Sequence, residues 1–119
     1  MAIKVYGITN CNTVKKALGW LKENGVPFTF YDLKKKGITT GTLNEWMMHC
    51  GWGKLLNKKG STWRALTNNQ QKTIMNQASA IALMILKPSV IKRPVIEWDG
   101  GLMIGFNEID YKNLLLPKA

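Results

Sequence analysis

The stretch from residue 2 to residue 33 most constrains what this chain can become. Residues 2–6 read as a short strand, and "PFTFYDL", residues 27–33, carries the β-branched and aromatic side chains of a second one. Between them Val14, Ala17, Leu18 and Leu21 recur at i, i+3, i+4 and i+7, the spacing of a helix with one buried face. Lys15, Lys16 and Lys22 fall on the opposite side. Asn12 or Thr13 offers a side-chain oxygen to cap that helix, and Asn24-Gly25 ends it. A strand, a crossover helix and a second strand imply two parallel strands.

The remaining segments must complete a sheet and cover it. Leu43, Trp46, Met47 and Cys50 repeat the helical spacing, and "WGKLLN" reads as another short helix. "KKGSTWR" reads as a loop, and residues 68–77 and 79–87 as two further helices with Pro88 just beyond. "RPVIEWDGGLMIGF" has the form of a hairpin turning at Asp99-Gly100. "NEIDYKNLL" then offers a last helix capped by Asn107. The order predicts an α/β protein with a four-stranded mixed sheet and helices on its faces. That is a thioredoxin-like layout with a helical insertion at about 40–87. A chain of 119 residues is expected to form one domain, 1–119, able to hold a core without metal or disulfide staples.

Several classes of function are disfavoured. No apolar run reaches the roughly 18 residues of a membrane span, and "MAIKVYG" has no signal-peptide form. A cytoplasmic protein is expected, with Cys11 and Cys50 as thiols. Two cysteines and one histidine are too few for a closed zinc site, so no metal is expected. Seventeen basic against seven acidic residues give +10, which favours anionic partners. The lysines are scattered without an RNA-binding motif or zinc finger, so a solvated surface is expected and nucleic acid is an unlikely partner. Of the seventeen, all but Arg64 and Arg93 are lysine. Arginine supplies the planar fork that suits an oxyanion or a carboxylate. Each arginine also has a plainer reading, Arg64 against an aromatic ring such as Trp63 and Arg93 against Glu97.

Cys11 precedes the first helical turn, where free N–H groups and the positive dipole end favour an anion. A thiol so placed has a lowered pKa and, as thiolate, is a nucleophile. Lys15 and Lys16 lie one turn further on and add positive potential. The plainer reading is a small residue filling a tight turn. Cys50 falls on an apolar stripe and is expected in the core; a Cys11–Cys50 disulfide is left open. His49 lies off that stripe and has no expected role. Residue 14 is Val, so Cys11 has no CxxC partner, and a thiol such as glutathione would have to resolve it.

"YGITNCNTVKKALGWLKENGVPFTFYDLKKKGI", "GWGKLLNKKGSTWRAL" and "SVIKRPVIEWDGGLMIGF" together resemble the ArsC/Spx family, and within it the YffB-like branch. The resemblance runs in order over nearly the whole chain. It implies a thioredoxin-like fold, a nucleophilic Cys11 with Asn12, Thr13 and Lys15 around it, and anion-holding arginines at Arg64 and Arg93. Pro94 matches the cis-proline that faces the cysteine in such folds. The implied activity is that of a glutathione-dependent thiol reductase, an oxidoreductase with no bound cofactor and glutathione as co-substrate. Arsenate reductases of the family carry a third arginine after the hairpin. Here that region reads "MIGFNEID", with Gly105-Phe106 and no basic residue, which predicts weak binding of a tetrahedral oxyanion. Spx-type members are redox-linked transcriptional adaptors that bind RNA polymerase, so a protein partner is one alternative and arsenate reduction the other. Many of those carry CxxC, which Val14 replaces.

Overall fold

A computed structural model describes residues 2–116. The chain divides into two compact units, one built from the segments up to Asp32 and from Arg93 onward, the other from Leu33–Lys92.

The first unit holds the whole sheet. Strands β1 (Lys4–Gly7), β2 (Thr29–Asp32), β3 (Val95–Trp98) and β4 (Gly101–Ile104) lie in the order β2-β1-β3-β4. β1 runs parallel to β2, with Val5 opposite Phe30, and antiparallel to β3, with Val5 opposite Ile96. β3 and β4 form the expected antiparallel hairpin, and Gly100 at its turn takes φ 84°, a region costly for any residue with a Cβ. This is the thioredoxin-like α/β arrangement that the order of elements predicted. Helices α1 (Asn12–Glu23) and α8 (Glu108–Leu115) supply the core against it. Val5 and Ile96 from the central strands meet Ala17, Trp20 and Leu21 of α1 and Tyr111 and Leu115 of α8. Trp20 and Tyr111 pack edge-on with ring centroids 5.4 Å apart. The buried face of α1 is Val14, Ala17, Trp20 and Leu21; Leu18, expected on it, is half-buried. Trp20 follows Ala17 by three residues and carries more apolar surface inward than Leu18 would.

The second unit is helical. It contains α2 (Leu33–Lys36), α3 (Thr40–Met47), α4 (Trp52–Leu55), α5 (Ser61–Arg64), α6 (Asn68–Lys72), α7 (Gln77–Leu86) and a 3-10 turn at Pro88–Val90. Several details differ from the expectation: Leu33, expected at the end of the second strand, begins α2, and a 3-10 turn follows α7. The "KKGSTWR" segment contains α5, whose turn buries Trp63. The helix expected at 68–77 stops at Lys72, because Asn76 instead caps α7 by accepting the Ser79 N–H. Cys50 lies beyond the end of α3, half-buried, with its thiol donating to the Trp46 carbonyl at 3.6 Å, rather than in the core. An isolated bridge of Leu56 with Ile91 ties the middle of this unit to its C-terminal end, and the Lys92 N–H donates to the Leu55 carbonyl at 2.7 Å. No helix among the described residues is long and apolar enough to cross a membrane.

Candidate functional site

Two segments far apart in sequence meet at one end of the sheet. Tyr6 stands opposite Val95 across the antiparallel β1–β3 pair, so the exit of β1 and the entry of β3 share that end. Cys11 follows the first, and Arg93 and Pro94 precede the second. The Arg93–Pro94 peptide is cis. Pro94 is buried, and its carbonyl accepts the Gly105 N–H at 2.7 Å. Gly105 takes φ 83°, a backbone state that disfavours a larger residue there. Its own carbonyl accepts the Tyr111 hydroxyl at 2.6 Å. The hydroxyl thus links α8 through Gly105 to the proline.

The turn between β1 and α1 is tight. A Cβ on Gly7 would lie 2.9 Å from Val14 Cγ2, so glycine lets the first turn of α1 close onto the strand. Cys11 itself is the N-cap, with extended φ and ψ, and its carbonyl accepts the Lys15 N–H at 3.0 Å. Asn12 and Thr13 are the first two helical residues, so neither is the cap that the sequence suggested. Both oxygens lost that role because the cysteine, one position earlier, already has the non-helical backbone of a cap.

Partial burial works against a charge on the Cys11 sulfur, but other contacts outweigh it. The Val14 N–H, a hydrogen bond from the Arg93 side chain, the Thr13 N–H and the Arg93 charge hold the thiol below its ordinary pKa. The sulfur makes no conventional cap hydrogen bond, so the two amides act on it through looser contacts. Cys50 goes the other way: burial pushes its thiol up, and the Lys54 charge offsets only part of that. Neither cysteine is in a disulfide.

Cys11, Thr13 and Arg93 are therefore brought together within the first unit, with Pro94 next to Arg93 in the chain and Asn12 exposed next to Cys11. Lys15 is exposed and contributes its backbone N–H; the positive charge acting on the sulfur is that of Arg93. Arg64 belongs to the second unit, exposed in the last turn of α5, with its N–H on the Gly60 carbonyl. The Val14 amide was the contributor missed by sequence reasoning. An N-cap at Cys11 would have pointed to it, because a cap side chain faces the N–H groups two and three positions on. Among the described residues no cluster of His, Cys, Asp and Glu could hold a metal ion.

A thioredoxin-like unit with an activated thiol at the start of its first helix defines a class of proteins. Residues 6–114 match the ArsC family, and the chain belongs to it. A curated relative, an uncharacterized protein of Haemophilus influenzae, is 40% identical over 92% of this chain and 96% of its own length. The chain is also similar to global transcriptional regulator Spx 2 of Bacillus anthracis, at 24% identity over 95% of this chain and 86% of the regulator. Among solved structures, the YFFB protein superposes with a TM-score of 0.90 at 41% identity, covering 96% of this chain and 99% of that one. An arsenate reductase (ArsC) related protein from Brucella melitensis gives 0.75 at 42% identity, covering 96% and 94%.

Proposed function

We propose that the protein is a glutathione-dependent thiol–disulfide oxidoreductase that works with the single cysteine Cys11. The observation that carries this reading is the Cys11 thiol at the N-cap of α1, held below its ordinary pKa by the Val14 and Thr13 N–H groups and the Arg93 side chain. Membership of the ArsC family supports the broader oxidoreductase class. In the first step the Cys11 thiolate attacks the glutathione sulfur of a mixed disulfide. A Cys11–glutathione bond forms, the substrate S–S bond breaks, and the departing thiolate takes a proton from water. A glutathione thiolate then attacks the Cys11 adduct, which releases glutathione disulfide and restores the Cys11 thiolate. The substrate gains the two electrons and the two glutathione sulfurs end joined. Arg93 holds a carboxylate of glutathione. Pro94 borders the groove where an extended substrate adds backbone hydrogen bonds. Glutathione is a co-substrate in this scheme, and a reducing compartment such as the cytoplasm supplies it.

Intact mass spectrometry and a thiol-transfer assay test the scheme together. Incubation with glutathione disulfide should give one adduct, absent in Cys11→Ser and present in Cys50→Ser. Transfer activity should vanish in the first variant and persist in the second. Equal loss in both would overturn the single-cysteine scheme. Direct arsenate reduction fits less well, because "MIGFNEID" supplies no further cation beside Pro94. The similarity to Spx 2 favours a second reading, an adaptor that binds a protein such as RNA polymerase. Retention of the polymerase in pull-downs with Cys11→Ser would favour that reading over the reductase.

A further inference from the structure

The net charge is not spread over the chain. Residues 33–92 hold ten cations and one carboxylate, Glu45, whereas the rest of the chain holds seven cations and six carboxylates. From residue 46 to residue 96 there is no Asp or Glu at all. All ten cations of the helical unit are exposed. The same unit carries an open apolar groove. Helix α7, "QASAIALMIL", has no charged residue on any side. It buries Ala80, Ile81, Leu83 and Met84 inward, while Ala82, Ile85 and Leu86 face solvent, with Leu86 75% and Ile85 41% exposed. A helix apolar all round is one that something covers on both sides. Beside it Leu66 and Ile74 complete a cleft of about 310 Å³ with Lys87 on its lining. Met75, 74% exposed, and the exposed Lys72 stand at neighbouring positions in the chain.

We infer that this groove of the helical unit docks an acidic amphipathic helix of a partner protein. Such a helix places leucine-like side chains at i, i+3 or i+4, and i+7 into the apolar cleft. Its remaining carboxylates are attracted by Lys87 on the lining and by the field of a unit that holds nine more cations than anions. Nucleic acid fits this surface less well. The lining carries no aromatic ring for stacking, and nine of the ten cations are lysine rather than the arginine favoured for base contacts. The inference stands apart from the thiol chemistry, since every residue it uses lies within 33–92.

The probe is a synthetic fluorescent peptide with leucines at i, i+3, i+4 and i+7 and glutamates elsewhere. It is titrated by anisotropy against the full chain, beside a scrambled peptide of the same composition and an oligothymidylate. The designed peptide should bind more tightly than either control, and less tightly as salt rises. Leu86→Ser should weaken it about tenfold, as loss of a central apolar anchor does. Ile109→Ser, on α8 and also exposed, should leave it unchanged. Cys11→Ser should bind as the unaltered chain does. Equal binding of the scrambled peptide, tighter binding of the oligonucleotide, indifference to Leu86→Ser or no binding at all would each overturn the inference.

Discussion

The two thiols of this chain differ in what surrounds each sulfur. Cys11 and Cys50 are both partly buried, yet their thiols shift in opposite directions, because Cys11 adds two amides and a guanidinium that Cys50 lacks. Alkylation followed against pH by peptide mass spectrometry should therefore modify Cys11 at a pH where Cys50 is still largely unreacted, with an apparent pKa below the free-thiol value of about 8.5. Arg93→Gln removes both the hydrogen bond and the charge, so the Cys11 profile should move up while that of Cys50 stays in place. A Cys11 profile unmoved by that change would assign the activation to the amides alone. The sign of the stability effect follows. A group with a lowered native pKa stabilises the fold above its unfolded pKa and loses that contribution as pH falls through the native value. The stability difference between the unaltered chain and Cys11→Ser should thus grow as pH rises toward the unfolded thiol pKa, and chemical denaturation at several pH values checks it. How legible this was divides by type of signal. The lowered thiol pKa could be read from the strand-to-helix join, since Cys11 follows "YGITN" directly. The cap could not, because a thiol is a weak acceptor and Asn12 and Thr13 are the stronger cap formers.

Among the elements, the close join of β1 to α1 and the attachment of α8 decide how firmly the thiol is held. Gly7→Ala places a methyl group 2.9 Å from Val14 Cγ2. It should cost about 1–3 kcal/mol, the usual range for overpacking, and should raise the Cys11 pKa as the Val14 amide is pushed away. Asn107 caps α8 by accepting the Asp110 N–H at 3.0 Å, so Asn107→Ala should lower stability by about 1 kcal/mol without altering the thiol. Thermal or denaturant melts of both variants, with the alkylation profile alongside, separate the two effects. Tyr111→Phe removes the bond to Gly105, and burial already holds that hydroxyl protonated well above the ordinary range. The regular elements were legible because their periodicities are clean: α1, β2, the hairpin and the Asn107 cap all stand where the pattern put them. The short turns α2, α5 and the 3-10 turn were not, because a single turn of helix has too few residues to show a period. Their formation depends on tertiary burial of Leu33, Trp63 and Val90.

Taken whole, the molecule combines a charge-balanced sheet unit that holds the thiol with a helical unit that holds nearly all the net charge. A net +10 attracts anions from solution and repels cations. The second-order rate constant of Cys11 with glutathione disulfide, an anion, should fall as ionic strength rises. With cystamine, a cation, it should rise, and with the neutral hydroxyethyl disulfide it should hardly change. The same slope for all three would mean that the field of the protein plays no part in the encounter. Composition revealed the size of this charge but not its address. Only the division into units showed that the insertion carries it, because the sequence alone set the insertion at about 40–87 and left Lys34, Lys35, Lys36 and Lys92 outside.

The sheet unit is interrupted: the chain leaves it after Asp32 and comes back at Arg93. During synthesis Cys11 therefore emerges from the ribosome long before the Arg93 guanidinium that acts on its sulfur and before β3, which pairs antiparallel with β1. Until then only the amides of Thr13 and Val14, which follow Cys11 directly, can act on its thiol. A product of translation truncated before residue 93 would therefore keep the first turn of α1 beside the thiol and lack the charge of Arg93.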